Sequence, residues 1–158
     1  MSTHGVDVFD KTLQTTHQWL HELESAVGPQ RQTAWHVLGA VLRALRDRVP
    51  VELAVHLGSR LPIRVRGAYY DQWRPTGKPE RIRTRDEFLA RIAAELEDTR
   101  PVNVPKAAQA VFGVLARHVS PGQILKVVEA LPADVRALWP AEVRSDAGRH
   151  ENREPVGR

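Results

Sequence analysis

Apolar and polar positions alternate at helical spacing along most of this chain. Phe9, Leu13, Thr16, Leu20, Leu23 and Val27 step by four and three, which is one face of an amphipathic helix. Gly28-Pro29 follows and predicts its stop. A second helix is predicted over about 30–48. Leu38, Val41, Leu42, Leu45 and Val49 form its main face, and Ala34, Val37, Ala40 and Ala44 widen the apolar arc. Only Gln32, His36, Arg43 and Asp47 make a polar stripe, so this helix belongs at the centre of a core. Pro50 opens a short third helix with Leu53 and Leu57 inward, closed by Gly58, and Leu61-Pro62 opens a fourth carrying Ile63, Val65, Tyr69, Tyr70 and Trp73.

The second half repeats this punctuation. Thr84 with Glu87 three residues on is a capping box that starts a fifth helix through Phe88, Ile92 and Leu96. A two-proline loop leads to a sixth helix over about 106–118, with Ala108, Val111, Phe112 and Leu115 on one face. Ser120-Pro121-Gly122-Gln123 has the form of a second capping box, and Leu131-Pro132 opens a last short helix ending near Trp139-Pro140. Shifting the chain by 70 residues superposes Ala40 on Ala110, Val41 on Val111, Leu45 on Leu115, Val49 on Val119, Leu61-Pro62 on Leu131-Pro132 and Arg66 on Arg136. Tyr69 then meets Trp139. The expected fold is all-α, a tandem repeat of two small helical bundles with about eight helices. Its divisions are a flexible N-terminus over 1–6, repeat 1 over 7–73, a basic linker over 74–85, repeat 2 over 86–140 and a disordered tail over 141–158.

Several of these residues form recognisable motifs. Phe9-Asp10-Lys11-Thr12, Trp19-Leu20 with Glu22-Leu23, and Leu42-Arg43-Ala44-Leu45-Arg46-Asp47-Arg48 are three of them. Others are Leu61-Pro62, Arg66-Gly67, Tyr69-Tyr70, Trp73, Glu87-Phe88-Leu89, Arg117-His118-Val119-Ser120 and Leu131-Pro132. Together, over about 7–140, they resemble the domain of unknown function 2267 family. The resemblance implies a helical, cytoplasmic, bacterial protein and carries no activity with it.

Composition narrows the chemistry. With no cysteine, disulfides and thiolate metal sites are excluded, and a reducing cytoplasm is the natural compartment. No run approaches the roughly 18 apolar residues of a membrane span, so no membrane partner is expected. The net charge of +4 is local: residues 61–85 carry seven basic and two acidic side chains, and the other segments nearly cancel.

That basic segment supplies the anion-binding candidates Arg64, Arg74, Lys78, Arg81, Arg83 and Arg85, with Tyr69, Tyr70 and Trp73 as aromatic neighbours. Arginine beside aromatic rings suits phosphate contact with base stacking, and alternating Arg81, Arg83 and Arg85 can line one side of an extended strip. Against this, Trp139 recurs at the position of Tyr69, which points to core anchoring. His17 and His21, four apart, could share a metal if Glu22 or Glu24 supplied a third ligand; border and surface histidines are the alternative. His36 on the second helix is a candidate for a buried contact to an acid of the first. Arg117 and His118 fall at a helix C-terminus, where the dipole favours positive charge. No catalytic constellation, phosphate-cradling loop or nucleophile motif is present, and no cofactor is expected. The expected function is therefore a non-catalytic helical interaction or adaptor module with a protein partner or self-association. Nucleic-acid or polyanion binding through 64–85 is the alternative, and a metal-binding or enzymatic protein using His17 and His21 comes third.

Overall fold

A computed structural model describes the backbone of residues 4–151 and the side chains of residues 7–149. Among the described residues the regular structure is helical throughout: α1 His4–Val27, α2 Arg31–Arg48, α3 Val51–Gly58, α4 Ile63–Tyr70, α5 Arg85–Glu95, α6 Val104–His118, α7 Pro121–Glu129, α8 Ala133–Arg136 and α9 Ala141–Glu151. No described helix is long and apolar enough to cross a membrane.

The broad apolar arc of α2 places it at the centre, with Ala34, Val37, Leu38, Val41, Leu42, Ala44 and Leu45 fully buried. α6 buries Ala107, Ala108, Val111, Phe112, Val114 and Leu115 in the same way. α1 packs against both, and α5 also touches both. The buried residues consequently form one continuous cluster running from Trp19 and Leu20 through α2 and α6 to Leu138 and Trp139. Helices of both predicted bundles contribute to this one interior. Phe112 joins them to the chain's end by stacking flat on Trp139, centroids 4.3 Å apart and planes 4° apart.

The helix ends follow local chemistry. Gly28, at φ 90°, closes α1 while its N–H bonds the Glu24 carbonyl; this left-handed conformation is costly for any residue with a Cβ. The Thr84 hydroxyl accepts from the Glu87 N–H at 3.1 Å, as the capping box predicts. α6 begins earlier than expected, because Asn103 accepts from the Lys106 N–H at 3.0 Å and Pro105 sits in the first turn, where its missing N–H costs nothing. The second expected capping box does not form. Ser120 starts α7 without a side-chain cap, at φ −57°, ψ 142°. Pro50 starts α3 at φ −55°, ψ 147°. The chain's direction at both sites comes from this proline-like backbone, which a hydroxyl does not alter.

Similar correspondences link the Leu-Pro turns. Pro62 and Pro132 have φ, ψ of −56°, 149° and −57°, 147°. The Arg66 guanidinium donates to the Ser59 and Leu61 carbonyls, and that of Arg136 donates to Glu129 and Leu131.

Three expectations need correction. Phe9, placed on the buried face of the first helix, is exposed, because the N-terminal turns of α1 reach past the helices that cover the rest of it. The tail predicted as disordered over 141–158 carries α9 over Ala141–Glu151, which packs on α7. Its low apolar content is concentrated where it counts: Val143 and Ala147, one turn apart, both face the core. Residues 152–158 lie outside the described residues, as do residues 1–3 of the segment expected to be flexible, whereas His4–Val6 already belong to α1. The basic linker is docked for part of its length. The Glu80 N–H bonds the Asp47 carbonyl, Ile82 is buried, and the Arg48 Nε donates to the Ile82 carbonyl at 2.6 Å.

Candidate functional site

Docking of the linker divides the predicted anion-binding set. With Ile82 turned inward, Arg81 and Arg83 are exposed on either side of it. Arg85 is half-buried at the first position of α5, where its backbone N–H donates to Asp134 at 2.5 Å. Lys78 is engaged with Glu80 at 3.0 Å. Arg64 is exposed on α4, and Arg74 lines a polar cleft described below.

The aromatic neighbours do not join these arginines. Tyr69 is fully buried and donates to the Ala54 carbonyl at 2.6 Å; burial above all, helped by Tyr70 and Asp47 and opposed by Arg46, pushes its phenol far above the ordinary range. Tyr70 packs on Trp73 at 5.4 Å and lies over Gly58, where any Cβ would collide with its phenol ring. Gly58 is thus required by a close approach, not by a turn. The rings anchor the α3–α4 corner, Tyr69 fully buried and Tyr70 and Trp73 half-buried.

The described residues do bring together a charged cluster that periodicity did not reveal. Arg46 and Asp47, at 3% and 2% exposure, are buried on α2. Arg46 grips Asp47 through two bonds of 2.8 and 3.1 Å, and its remaining terminal nitrogen donates to the Tyr69 and Asp71 carbonyls at 2.8 Å each. It therefore caps the C-terminus of α4, where the helix dipole favours a cation. From α5, Arg91 reaches the second Asp47 oxygen at 3.0 Å, Glu95 at 3.3 Å and Glu80 at 3.5 Å. Burial works against the Arg91 charge, but Glu80, Glu95 and Asp47 outweigh it and hold the guanidinium above its ordinary value. Arg43 completes the ring, bonding Glu95 at 3.1 Å and the Ala68 carbonyl at 3.0 Å. These side chains surround a cleft of about 180 Å³ with Arg74 and Lys78 at its edge. Three of its four carboxylates (Asp47, Glu80 and Glu95) and four of its five cations are already bonded to protein groups, so the cluster ties α2, α4, α5 and the linker together.

The histidine pair does not assemble a metal site. His17 and His21 are both exposed, and His21 meets only Glu24, at 3.3 Å. Glu22 turns the other way, to Arg117 at 2.7 Å and His118 at 2.5 Å on α6. Burial pushes the Glu22 carboxyl up, but hydrogen bonds from His118 and Arg117, with their charges, prevail and hold it below the usual carboxylate range. Trp19 stacks on His118 at 5.2 Å. Among the described residues no three His, Cys, Asp or Glu side chains are grouped so as to hold a metal ion. His36 is exposed and does not make the buried contact expected of it.

Two other recesses on the described surface differ in their walls, one mostly apolar and one mixed. The larger, about 490 Å³, lies between the end of α6, α7 and α9. Ala116, Pro121, Ile124, Leu125 and Val143 wall it, with Glu142, Asp146 and Arg149 on the α9 rim. The other runs between α1 and the α3–α4 turn. In the comparisons with known proteins, a family model described as an uncharacterized conserved protein (DUF2267) matches residues 16–138. No curated protein matches the chain.

Proposed function

The chain belongs to the DUF2267 family of uncharacterized conserved proteins, and from that premise we propose that it is a non-catalytic helical interaction module that receives an amphipathic, basic segment of a partner protein in the groove between α7 and α9. The observation that carries this reading is the composition of the groove. Its volume of about 490 Å³ and apolar wall suit burial of a few side chains, and Glu142 and Asp146 on one edge favour a partner bearing lysine or arginine. Arg149 meets Asp146 only at 3.9 Å across exposed surface and competes weakly for it. The interior supports the same reading, because its buried ionised groups are bonded to one another and to backbone carbonyls. We take the setting to be the bacterial cytoplasm, which fits a chain without cysteine.

Selection of peptides from a display library against the immobilised full chain tests the proposal. Enriched sequences are expected to combine apolar residues at helical spacing with basic residues, and Leu125→Arg should weaken their binding at least tenfold. Failure to enrich any such sequence, or binding indifferent to Leu125→Arg, contradicts it.

A second reading has one observation in its favour, the outward Arg81 and Arg83 on the strip anchored by Ile82. As a polyanion-binding strip it requires salt-sensitive binding to DNA or RNA, lost in Arg81→Glu/Arg83→Glu; wild-type protein that shows no such binding ends it.

We further propose that the two halves arose by duplication. The matched dihedrals at Pro50 and Ser120 and at Pro62 and Pro132 support this, as do the matched carbonyl contacts of Arg66 and Arg136.

A further inference from the structure

The N-terminal end of α1 has features that neither the core nor the α7–α9 groove explains. α1 is 24 residues long and α2 is 18, which makes α1 about 9 Å longer. On its N-terminal turns Val8 and Phe9 stand 63% and 71% exposed, flanked by the exposed carboxylates of Asp7 and Asp10, which have no ionic partner among the described residues. Just beside this arm lies the recess between α1 and the α3–α4 turn, lined by Lys11, Thr12, Thr15, Arg60, Ile63 and Arg66 among others, with no carboxylate in its wall. Ile63 is 59% exposed at its edge. Lys11, Arg60 and the neighbouring Arg64 are likewise exposed and without an ionic partner among the described residues.

One end of the molecule thus carries an arm with Asp7, Val8, Phe9 and Asp10 beside a basic recess edged by the exposed Ile63. Asp7 and Lys11, one turn apart on α1, make no ion pair among the described residues, and Val8 and Phe9 on the same turns stay uncovered. We propose that this end is the interface of a two-fold symmetric dimer, in which the α1 arm of each copy lies across the recess of the other. A two-fold axis makes such a surface self-complementary: whatever the arm of one copy meets on the second, the arm of the second meets on the first. Asp7 and Asp10 then face Lys11, Arg60 and Arg64 of the other copy, and Val8 and Phe9 are covered against Ile63. The charges set orientation and the apolar side chains supply most of the affinity. This face shares no residue with the α7–α9 groove, so its partner is a second copy whatever the groove binds.

Sedimentation equilibrium of the full chain over about 1–100 μM tests the proposal. Wild-type protein is expected to show the mass of two chains. Phe9→Asp/Ile63→Asp should sediment as a monomer, with an unchanged helical circular-dichroism spectrum that excludes misfolding; Leu125→Arg should leave the dimer intact. The charge pattern has its own test. Asp7→Arg/Asp10→Arg and Arg60→Glu/Arg64→Glu should each weaken the dimer at least tenfold, and mixing the two variants should restore a dimer containing one of each. A wild-type protein that stays monomeric throughout this range overturns the proposal. So does a dimer that survives both Phe9→Asp/Ile63→Asp and the separate charge reversals.

Discussion

At Asp47 a carboxylate with almost no solvent contact is held by two guanidinium groups, from Arg46 beside it and Arg91 on α5. Taking these charges out of water is expensive, and removing Asp47 leaves the buried Arg46 without a carboxylate, while Arg91 keeps Glu80 and Glu95. Asp47→Ala is therefore expected to lower stability by about 3–5 kcal/mol in urea denaturation at neutral pH. A loss below about 1 kcal/mol, the scale of an exposed pair, would show that the cluster does not tie the helices together. Glu22 gives a prediction in pH. Its carboxyl lies below its ordinary value of 4.5 because His118 and Arg117 stabilise the ionised form. A depressed carboxyl contributes stability that is present above the unfolded value and lost as pH falls through the folded one. Glu22→Gln should accordingly destabilise the protein at pH 7, and the difference from wild type should shrink as the solution is acidified below about 4.5. A difference that grows on acidification would contradict the pairing. Residues of this kind were the least legible in the sequence. The helical wheel put Asp47 on the polar stripe of α2, but periodicity gives the face a side chain occupies and not its partner. Arg46, lying between Leu45 and Asp47, had no signal of its own except membership of the motif running from Leu42 to Arg48.

Among the elements, legibility was highest where backbone chemistry is local. Gly28, Thr84 and the Leu-Pro pairs mark helix ends that the structure places within a residue or two of expectation. It was lower where a helix depends on its neighbours. α9 has a polar composition, and only the surface of α7 gives Val143 and Ala147 something to cover. Ala147→Glu should release α9 while leaving the core folded, which limited proteolysis would report as new cleavage within 141–151; resistance equal to wild type would contradict this docking. The Leu-Pro turns offer a comparison between halves. Arg66 and Arg136 each close such a turn by donating to its carbonyls, and a charged donor of this kind contributes about 1.5–3 kcal/mol. Arg66→Ala and Arg136→Ala should therefore lower the thermal midpoint by similar amounts. A large loss at one and none at the other would mean that the two turns only look alike.

For the molecule as a whole, the sequence pointed to two bundles burying their apolar faces against each other, and residues of both halves contribute to one buried cluster. Hydrophobic patterning identified the buried faces correctly for α2 and α6. It could not show that α1 and α5 each bridge both, since that depends on which face meets which neighbour. The surface carries the features on which the proposals rest: the α7–α9 groove, the outward arginines and the α1 arm. The central claim is that neither half is independently folded and that the Asp47 cluster belongs to their common framework. Native-state amide hydrogen exchange on wild type and Asp47→Ala tests this most directly. The slowest amides of α2 and α6 should exchange through the same global opening, and Asp47→Ala should lower that opening free energy equally in both. An α6–α7 unit that opens at lower free energy while α2 stays protected, or a loss of protection in Asp47→Ala confined to α2 and α5, would contradict it.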